Sequence, residues 1–174
     1  MAALELFGER GYEQTTVAAI AERAGVTERT FFRYFADKRE VLFDSSGGLQ
    51  HGVVAAIEAA PDGLPPIEVM ARAFAVAGDL IAGDRAFAEQ RAAVIASDAS
   101  LQERELLKLE RLRQAAVEAL RDRGVALPAA ELAAGAGVAV FHVGFARWLA
   151  DDDLTLAERI REALDDLSHV VVER

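Results

Sequence analysis

The feature of the sequence that most limits its fold is a pair of short helical segments that meet at Gly25. Thr16 precedes the first segment and Thr27 precedes the second, and a threonine in this place accepts a hydrogen bond from a free amide of the first helical turn. Glycine adopts the left-handed backbone that ends a helix, and the small Ala21 stands where the two helices would cross. The pattern predicts a helix-turn-helix. The apolar residues expected to fill the angle between its helices are Val17, Ile20, Val26 and Phe31.

The second segment separates into an aromatic face and a basic face when its residues are projected at about 100° each. Phe31, Tyr34 and Phe35 share the aromatic face, and a small helical unit needs such large side chains to fill its core. We expect Tyr34 to bury its ring and to direct its hydroxyl to the backbone. The opposite face is free to enter a DNA major groove. That face carries Arg29, Thr30, Phe32 and Arg33.

Further groups near this face suit the phosphates of DNA. The hydroxyls of Thr16 and Thr27, with the helix-start amides beside them, can bind phosphate oxygens. Asp37 is expected to cap a following helix, and Lys38 adds a cation at its start. Without DNA, the arginines would form an ordinary solvated face and the threonines would be plain helix caps. An exposed Phe32 is harder to explain in that way, because an apolar ring on a polar face usually has a partner.

The composition excludes several classes of site. The 174 residues include no cysteine, which removes disulfides, cysteine-ligated metals, iron–sulfur clusters and thiol nucleophiles. The net charge of −10 argues against nucleic acid when it is taken alone. Residues 1–44, however, carry six Lys or Arg against eight Asp or Glu, so most of the excess acid lies downstream.

The sequence shows no motif of an enzyme or of a membrane protein. The three histidines are far apart, and no HExxH, GxSxG or phosphate-binding GxxxxGK[ST] motif occurs. The run Asp151–Asp153 is typical of a solvated helix end, so we expect no metal site, no cofactor and no enzyme activity. The longest nearly apolar stretch, residues 132–146, is short for a membrane span, and the N-terminus lacks the regions of a secretory signal. These features favour a cytoplasmic protein without a membrane partner.

Apolar residues at helical spacing predict about nine helices and no convincing strand. The first three helices lie within residues 2–35, a fourth is predicted over 38–47, and the others extend from residue 49 to residue 172. The best domain boundary is Ser45–Gly48. The prediction is therefore an all-α chain with a three-helix DNA-binding domain at 1–44 and a second helical domain at 45–174.

The first 44 residues also carry a family resemblance. The stretch ALELFGERGYEQTTVAAIAERAGVTERTFFRYFADKREVLFD resembles the DNA-binding region of the TetR family of bacterial transcriptional regulators over residues 2–44. The matching elements are ALELFGERGY, TTVAAIAERAGV, T-x-x-T-F-F-x-Y-F and D-K-x-x-V-L. The resemblance implies phosphate contacts from Thr16, Thr27, Tyr34 and Lys38. It implies base or backbone contacts from Arg29, Thr30, Phe32 and Arg33.

Two departures from the family pattern concern DNA affinity. Phe32 stands where the family often has tyrosine, so van der Waals contact with a sugar or a thymine methyl replaces the expected hydroxyl contact. Family members usually carry a basic segment before the first helix, and this chain starts almost inside that helix. We therefore expect the N-terminal arm to be missing from the sequence.

The remainder of the chain resembles the helical regulatory domains of many actinobacterial members of that family, which bind small molecules and form homodimers through their last two helices. The sequence supports dimerisation in its own terms. The last helix has an apolar stripe, and the preceding one has small residues that allow close approach. The alternative is that the stripe packs inside one subunit. The predicted interface consists of Ala136, Val140, Gly144, Leu156, Ile160, Leu164, Leu167 and Val171.

The sequence defines an effector site less well. For Met70 and Phe74, core packing is favoured over a ligand contact, and His142 is expected to be a satisfied core histidine. Arg91 is expected to meet either an acidic effector or a carboxylate such as Glu89. The full set of candidate pocket residues is Met70, Phe74, Phe87, Arg91, His142 and Trp148.

Together these features predict a homodimeric repressor that binds a palindromic operator in double-stranded DNA and is released by a small-molecule effector. The alternative is a helical small-molecule or lipid-binding protein that does not bind DNA. The face that carries Arg29, Phe32 and Arg33 favours the regulator, because a pure binding module has no use for it.

Overall fold

A computed structural model describes residues 1–43 and 48–172, and of residues 79–81 and 172 it describes the backbone only. Within these ranges every regular element is helical, which confirms the all-α prediction. A single 3₁₀ turn, Arg39–Val41, follows the third helix. The α-helices are α1 (Ala2–Arg10), α2 (Val17–Arg23), α3 (Glu28–Tyr34), α4 (Gly48–Glu58), α5 (Pro66–Ala82), α6 (Arg85–Ala96), α7 (Ala99–Asp122), α8 (Leu127–Ala150) and α9 (Leu156–Val172).

The predicted fourth helix over 38–47 is wrong in its described part, where only the 3₁₀ turn forms. Asp37 does cap this turn, since its Oδ1 accepts hydrogen bonds from the amides of Arg39 at 2.8 Å and Glu40 at 3.3 Å. The carbonyl of Leu42 accepts instead from the Arg91 side chain at 2.8 Å. A side chain therefore occupies an acceptor that a continuing helix would need. Residues 44–47 of the predicted helix lie outside the described residues.

The chain divides into two compact units. Unit 1 comprises Met1–Gly47 and Ala86–Leu107, and unit 2 comprises Gly48–Arg85 and Lys108–Arg174. Most of α6 and the start of α7 thus belong with α1–α3. The domain boundary after residue 44 remains a prediction. The compact units are defined by contacts within the folded chain, so each combines segments that are distant in the sequence.

The core of unit 1 is built from apolar residues that are distant in sequence. Leu6 and Phe7 of α1, Ile20 of α2 and Phe31 of α3 are buried together with Ile95 of α6. Phe43, which follows the 3₁₀ turn, is fully buried in the same cluster. The guanidinium carbons of Arg91 and Arg104 lie 5.3 and 4.9 Å from the centroid of the Phe43 ring. Such cation–π contacts add to the apolar burial of the ring.

Two of the ion pairs in unit 1 involve arginines of α6 and α7. Arg104 on α7 donates from Nε and Nη2 to the two carboxylate oxygens of Glu40, at 2.7 and 2.8 Å. Arg91 on α6 makes the same two-pronged contact with Glu105, at 3.1 and 2.7 Å. These side chains are at most about a quarter exposed, and bidentate arginine–carboxylate pairs have a well-defined geometry. The hydrogen bonds from Arg104 lower the pKa of Glu40 below its usual 4.5.

Unit 2 is a bundle in which α5 packs against α4, α8 and α9, and α8 packs against α9. Small residues of α8 permit the close approach. A methyl group placed on Gly144 would lie 2.9 Å from the backbone of Ile160, and one on Gly137 would lie 2.7 Å from the side chain of Met70. The rings of Phe74 and Phe141 stack with their centroids 4.8 Å apart. The bundle therefore depends on glycine where helices touch.

By length and composition alone, α8 could cross a membrane, and among the described helices it is the one that meets this test. Core helices of soluble proteins meet the same test. Eight residues of α8 are buried, from Ala130 to Trp148, as expected of a helix that packs in a bundle.

We predict that Gly144→Ala lowers the free energy of unfolding by roughly 1–3 kcal/mol, because the added methyl group meets the Ile160 backbone and α8 and α9 must separate. Gly135→Ala is the matched control on the same helix, since a methyl group there has nothing within 4 Å. Alanine should raise the stability at Gly135 by roughly 0.5–1 kcal/mol. Urea unfolding at one protein concentration measures both, and equal values for the two variants would contradict the close contact.

We also predict that Arg104→Met reduces the acid sensitivity of folding. The pKa of Glu40 is lowered in the folded protein, so its contribution is present above the ordinary pKa and is lost as the pH falls through the lowered one. The free energy of unfolding should therefore drop less between about pH 7 and about pH 3 in the variant than in the wild type. At neutral pH the variant should be less stable by about 1–2 kcal/mol. Arg111→Met, at an exposed position of α7, should leave the wild-type pH dependence unchanged.

Candidate nucleic-acid interface and regulatory surfaces

Helices α2 and α3 form the predicted pair with a tight turn. Thr16 Oγ1 accepts from the amide of Ala19 at 3.2 Å, and Thr27 Oγ1 accepts from the amide of Thr30 at 3.1 Å, so both threonines are N-caps. Gly25 has a φ of +68°, the left-handed conformation that the sequence predicts at this place. Ala21 is buried at the crossing, as expected.

The inner side of this pair differs from the prediction at Val26. Ile20 and Phe31 are buried in the angle, as predicted, but Val26 is 42% exposed. Its amide bonds the carbonyl of Ala21 at 2.9 Å and closes the turn. Phe35 ends α3 in an extended conformation, and its ring lies 5.3 Å from that of Phe31. The rings of Phe31 and Phe35 fill the space between the helices that Val26 was expected to fill in part.

The prediction for Tyr34 is also wrong, because its side chain is 64% exposed rather than buried. Phe31 and Phe35 already occupy the core side of α3, so the ring of Tyr34 has no place there. Arg33 lies against it instead. The Arg33 guanidinium carbon is 4.8 Å from the ring centroid, and Nη2 donates to the tyrosine hydroxyl at 2.9 Å.

The outer side of α3 presents the polar face that the sequence predicts. Phe32 is 53% exposed, with its ring at an edge-to-face angle against Phe31. Arg29 and Arg33 are exposed. Thr30 is half-buried, and its hydroxyl is 3.0 Å from that of Thr27. An exposed helix that carries two guanidiniums, hydroxyls and one aromatic ring can contact both base edges and phosphates.

Lys38 is held inside unit 1. Its Nζ donates to the backbone carbonyls of Tyr12 at 2.7 Å, Thr15 at 3.1 Å and Glu13 at 3.3 Å. The same nitrogen lies 4.2 Å from the centroid of the Tyr12 ring. Burial raises the pKa of the Tyr12 hydroxyl. The sequence pattern predicts Lys38 on the DNA face and gives no sign of its bonds to this loop.

Thr15 is a second residue that sequence analysis missed. It is a buried polar side chain, and its hydroxyl lies within hydrogen-bond distance of the Gly11 carbonyl at 2.8 Å and the Leu6 carbonyl at 3.2 Å. The signal in the sequence is the pair of threonines before α2, of which the second caps the helix. The first is therefore available for the loop between α1 and α2.

The six predicted effector residues belong to two different compact units, and their part in effector binding stays a prediction. Met70, Phe74 and Trp148 are buried in unit 2, whereas Phe87 and Arg91 belong to unit 1. The partner of Arg91 is Glu105 rather than Glu89. His142 is exposed on α8, which corrects the expectation of a core histidine. The reason is that α8 buries its other faces against α5 and α9.

An open groove of about 610 Å³ lies between α5 and α9. Its walls combine apolar side chains with two arginines and two carboxylates, and none of the six predicted effector residues lines it. Sequence analysis missed this groove, because its residues come from helices that are distant in the sequence. The residues at its walls include Ile67, Arg72, Val76, Arg161, Leu164 and Asp165.

Much of the predicted dimer interface is already used within one subunit. Val140, Gly144, Leu156 and Ile160 are buried where α8, α9 and α5 meet. Ala136, Leu164 and Leu167 are half-buried, and Val171 is exposed. The stripe on α9 thus serves the core at its start and reaches solvent toward its end. Other exposed apolar residues on the same two helices are Leu132, Val143 and Val170.

The acidic run at the end of α8 has partners within the protein. The Asp151 carboxylate accepts from the amide of Asp153 at 2.9 Å and from Arg159 at 2.8 Å. These bonds, the backbone one first, lower the pKa of Asp151. Its oxygens lie close enough to those of Asp152 and Asp153 to hold a metal ion by distance alone. All three are exposed, and exposed acidic groups of this kind are common without a metal.

Comparison with known proteins gives two family matches. Residues 1–44 match the family model described as bacterial regulatory proteins, tetR family. Residues 64–171, more than half of the chain, match the model of the MftR C-terminal domain, a tetR-type regulatory domain. These matches correspond to the two regions that the sequence resemblance separates.

Individual relatives agree with this assignment. The HTH-type transcriptional regulator TcmR of Streptomyces glaucescens is 47% identical over 72 residues, which are 41% of this chain and 32% of TcmR. The fatty acid metabolism regulator protein of Bacillus subtilis is 44% identical over 41 residues, 24% of this chain and 21% of that protein. The chain thus matches about a third and about a fifth of the lengths of these two relatives.

Solved structures are similar over nearly the whole chain. FadR of Thermus thermophilus, a TetR-family transcriptional repressor in complex with lauroyl-CoA, is 26% identical with a TM-score of 0.60 and covers 99% of this chain and 93% of its own. FadR of Bacillus subtilis, in complex with stearoyl-CoA, has a TM-score of 0.58 at 21% identity, with 94% and 92% covered, and shows the fold alone. Because the family models match both regions and together span most of the sequence, this chain belongs to the tetR family of bacterial regulatory proteins.

Proposed function

We propose that this protein is a transcriptional repressor that binds a palindromic operator as a homodimer and is released by a small-molecule effector. The observation that carries the proposal is the outer side of α3, where Arg29, Phe32 and Arg33 are exposed beside two capped helix starts. The Phe32 ring packs edge to face on Phe31, and about half of it remains exposed to solvent beside these arginines. It suits a surface that meets sugar and base edges.

The proposed contacts fall into two sets, one that contacts bases or the DNA backbone in the groove and one that contacts phosphates. Arg29, Thr30, Phe32 and Arg33 would face the groove. Thr16, Thr27 and Tyr34 would bind phosphates, and the exposure of the Tyr34 hydroxyl supports its part in this. Arg33 bonds that hydroxyl in the free protein, so it must leave Tyr34 to reach a base.

The charge of the protein sets the conditions under which DNA binding is measured. The net charge is −10, so affinity for DNA depends on a few local cations. Binding that depends on phosphate contacts weakens linearly with salt on a logarithmic plot. We therefore expect the affinity to be strongest at low ionic strength.

The dimer would form through the exposed parts of α8 and α9. Leu132 and Val143 on α8 and Val170 and Val171 on α9 are large apolar residues open to solvent, and such surface is usually covered by a partner. A two-fold dimer would place two copies of α3 about one helical turn of DNA apart, roughly 34 Å. Ala136, Leu164 and Leu167 are half-buried and would lie at the same interface.

The effector would bind unit 2. Long-chain acyl-CoA is the first class to test, because FadR of Thermus thermophilus holds lauroyl-CoA and is similar to this chain over nearly its whole length. The groove between α5 and α9 offers apolar walls together with Arg72 and Arg161, which suit an acyl chain and an anionic group, and the carboxylates Glu68 and Asp165 line it as well. The effector can shift the DNA-binding equilibrium only by its difference in affinity for the two states. The protein would act in the cytoplasm, and no enzymatic step is part of this function.

The test of the proposal is binding of the full-length protein to DNA fragments from around its own gene, titrated with salt. We expect one fragment to bind tightly as a dimer complex with a steep salt slope, and lauroyl-CoA to weaken that complex. If no fragment is preferred, the helical ligand-binding alternative is favoured. If a fragment binds and lauroyl-CoA has no effect, the proposed operator binding is supported and the proposed effector class is wrong.

We predict that Arg33→Ala relaxes the sequence preference at one operator position by about 1–3 kcal/mol, the usual value of a guanidinium contact with guanine. Selection from a random-sequence DNA library, followed by sequencing, measures the preference at each position. Arg111→Ala, at an exposed position of unit 2, is the matched control and should leave every preference unchanged. The same selected sequence with Arg33→Ala as with the wild type would remove Arg33 from base readout.

A further inference from the structure

The connection between α1 and α2 is held by two side chains that bond its carbonyls. Lys38 Nζ reaches the carbonyls of Tyr12, Glu13 and Thr15, at 2.7 to 3.3 Å. An ammonium group has three N–H donors and no acceptor, so these three carbonyls match its whole hydrogen-bonding capacity. The Tyr12 ring adds a cation–π contact at 4.2 Å. We call Lys38 and these three carbonyls the loop anchor.

The loop anchor joins two parts of the helix-turn-helix that the chain does not connect directly. Its three carbonyls lie just before Thr16, which caps α2. Lys38 itself lies just after α3, which ends at Tyr34. The anchor therefore ties the far end of α3 to the start of α2. Thr15 holds the same loop from within through the carbonyls of Gly11 and Leu6.

A direct phosphate contact by Lys38 would disrupt this arrangement. The ammonium would have to leave three carbonyls, and its bonds to Tyr12 and Thr15 are partly buried. The Tyr12 carbonyl would keep only a 3.3 Å bond from the Thr15 amide, and the loss of the ammonium donor from partly buried acceptors is unfavourable. Arg29 is exposed on α3, and Arg33 would give up only an exposed bond to the Tyr34 hydroxyl. Cations for phosphates are thus available elsewhere on unit 1.

We propose that Lys38 is a positioning residue for DNA binding, which acts by holding the loop before Thr16 and so the start of α2, rather than a phosphate ligand. This inference rests on the proposed function, because it assigns a role in DNA binding. It also makes a claim about the free protein. Without the loop anchor, the Thr16 hydroxyl and the first amides of α2 lose their fixed place relative to α3.

Two variants of Lys38 distinguish its positioning role from the effect of its positive charge. Lys38→Met removes both the charge and the three donors. Lys38→Arg keeps the charge, but a planar guanidinium fork cannot replace a compact ammonium among three carbonyls that converge on one point. Arg29→Ala serves as the comparison, because it removes an exposed cation of α3. The probe is a DNA duplex that the wild-type protein selects from a random-sequence library.

Affinity is measured over a series of salt concentrations, at a temperature where circular dichroism shows every variant to be fully folded. We expect both Lys38 variants to bind about tenfold more weakly than the wild type and to keep its salt slope. Arg29→Ala should lose about 0.9 of the slope, the value of one phosphate contact. Near wild-type affinity in Lys38→Arg, with a reduced slope in Lys38→Met, would establish a phosphate contact and overturn the proposal. Unchanged affinity in both would leave Lys38 with a role in stability only, which also overturns it.

A double-mutant cycle with Thr16→Ala tests whether Lys38 affects DNA affinity through the start of α2. If Lys38 acts through the start of α2, the losses of affinity in Lys38→Met and Thr16→Ala should not add, because the second removes the group that the first misplaces. Additive losses would mean that Lys38 acts independently of Thr16 and would contradict the proposal.

NMR of the free protein provides a test that does not depend on DNA. In NMR spectra, the amide signals of residues 12–16 should shift in both Lys38 variants and stay in place in Arg29→Ala. Unmoved signals would show that the loop anchor does not hold the loop. If the wild type selects no duplex while these signals do shift, the anchor is real and the proposed DNA function has failed, so the two failures are distinguishable.

Discussion

The burial of Phe31 between α1 and α2 is the contact on which the candidate DNA face depends. Phe31 packs in the cluster that contains Leu6, Phe7 and Ile20, and this fixes which side of α3 turns inward. Arg29, Phe32 and Arg33 face solvent because their neighbour in the helix is buried. A change that loosened Phe31 would rotate or release α3, and each proposed base contact would be lost with it. Large aromatic side chains such as Phe7, Phe31 and Phe43 are buried in this cluster, and each buries a large apolar area.

Unit 1 is completed by residues that lie far along the chain. Phe43 is buried beside the guanidiniums of Arg91 and Arg104, which come from α6 and α7. Arg91 also bonds the Leu42 carbonyl, and Arg104 bonds Glu40. The segment after α3 is therefore held by side chains from two later helices as well as by the hydrogen bonds of its single 3₁₀ turn. The compact unit that contains α1–α3 accordingly includes residues 86–107 as well.

In unit 2, residues of α8 and α9 that pack against each other within one subunit are not available to a dimer interface. Gly144 and Ile160 are in backbone contact between α8 and α9, so the apolar stripe that predicts a dimer is used partly inside the subunit. The exposed apolar residues, such as Leu132 and Val170, lie on other parts of these helices. Periodicity shows that a helix has an apolar face, and it does not show whether that face meets the same chain or a second copy.

The sequence alone determined the helical class, the turn at Gly25, the caps at Thr16 and Thr27 and the exposed basic side of α3. These features follow from hydrogen bonds and backbone conformations that span only a few residues, so local sequence is enough to specify them. The tertiary structure alone decided that Tyr34 and Val26 are exposed, that Lys38 binds three carbonyls and that Arg91 pairs with Glu105. It also placed His142 on the surface and formed the groove between α5 and α9. Each of these depends on which distant segments meet, and whether a side chain finds a buried place or a bonding partner is settled only when those segments pack together.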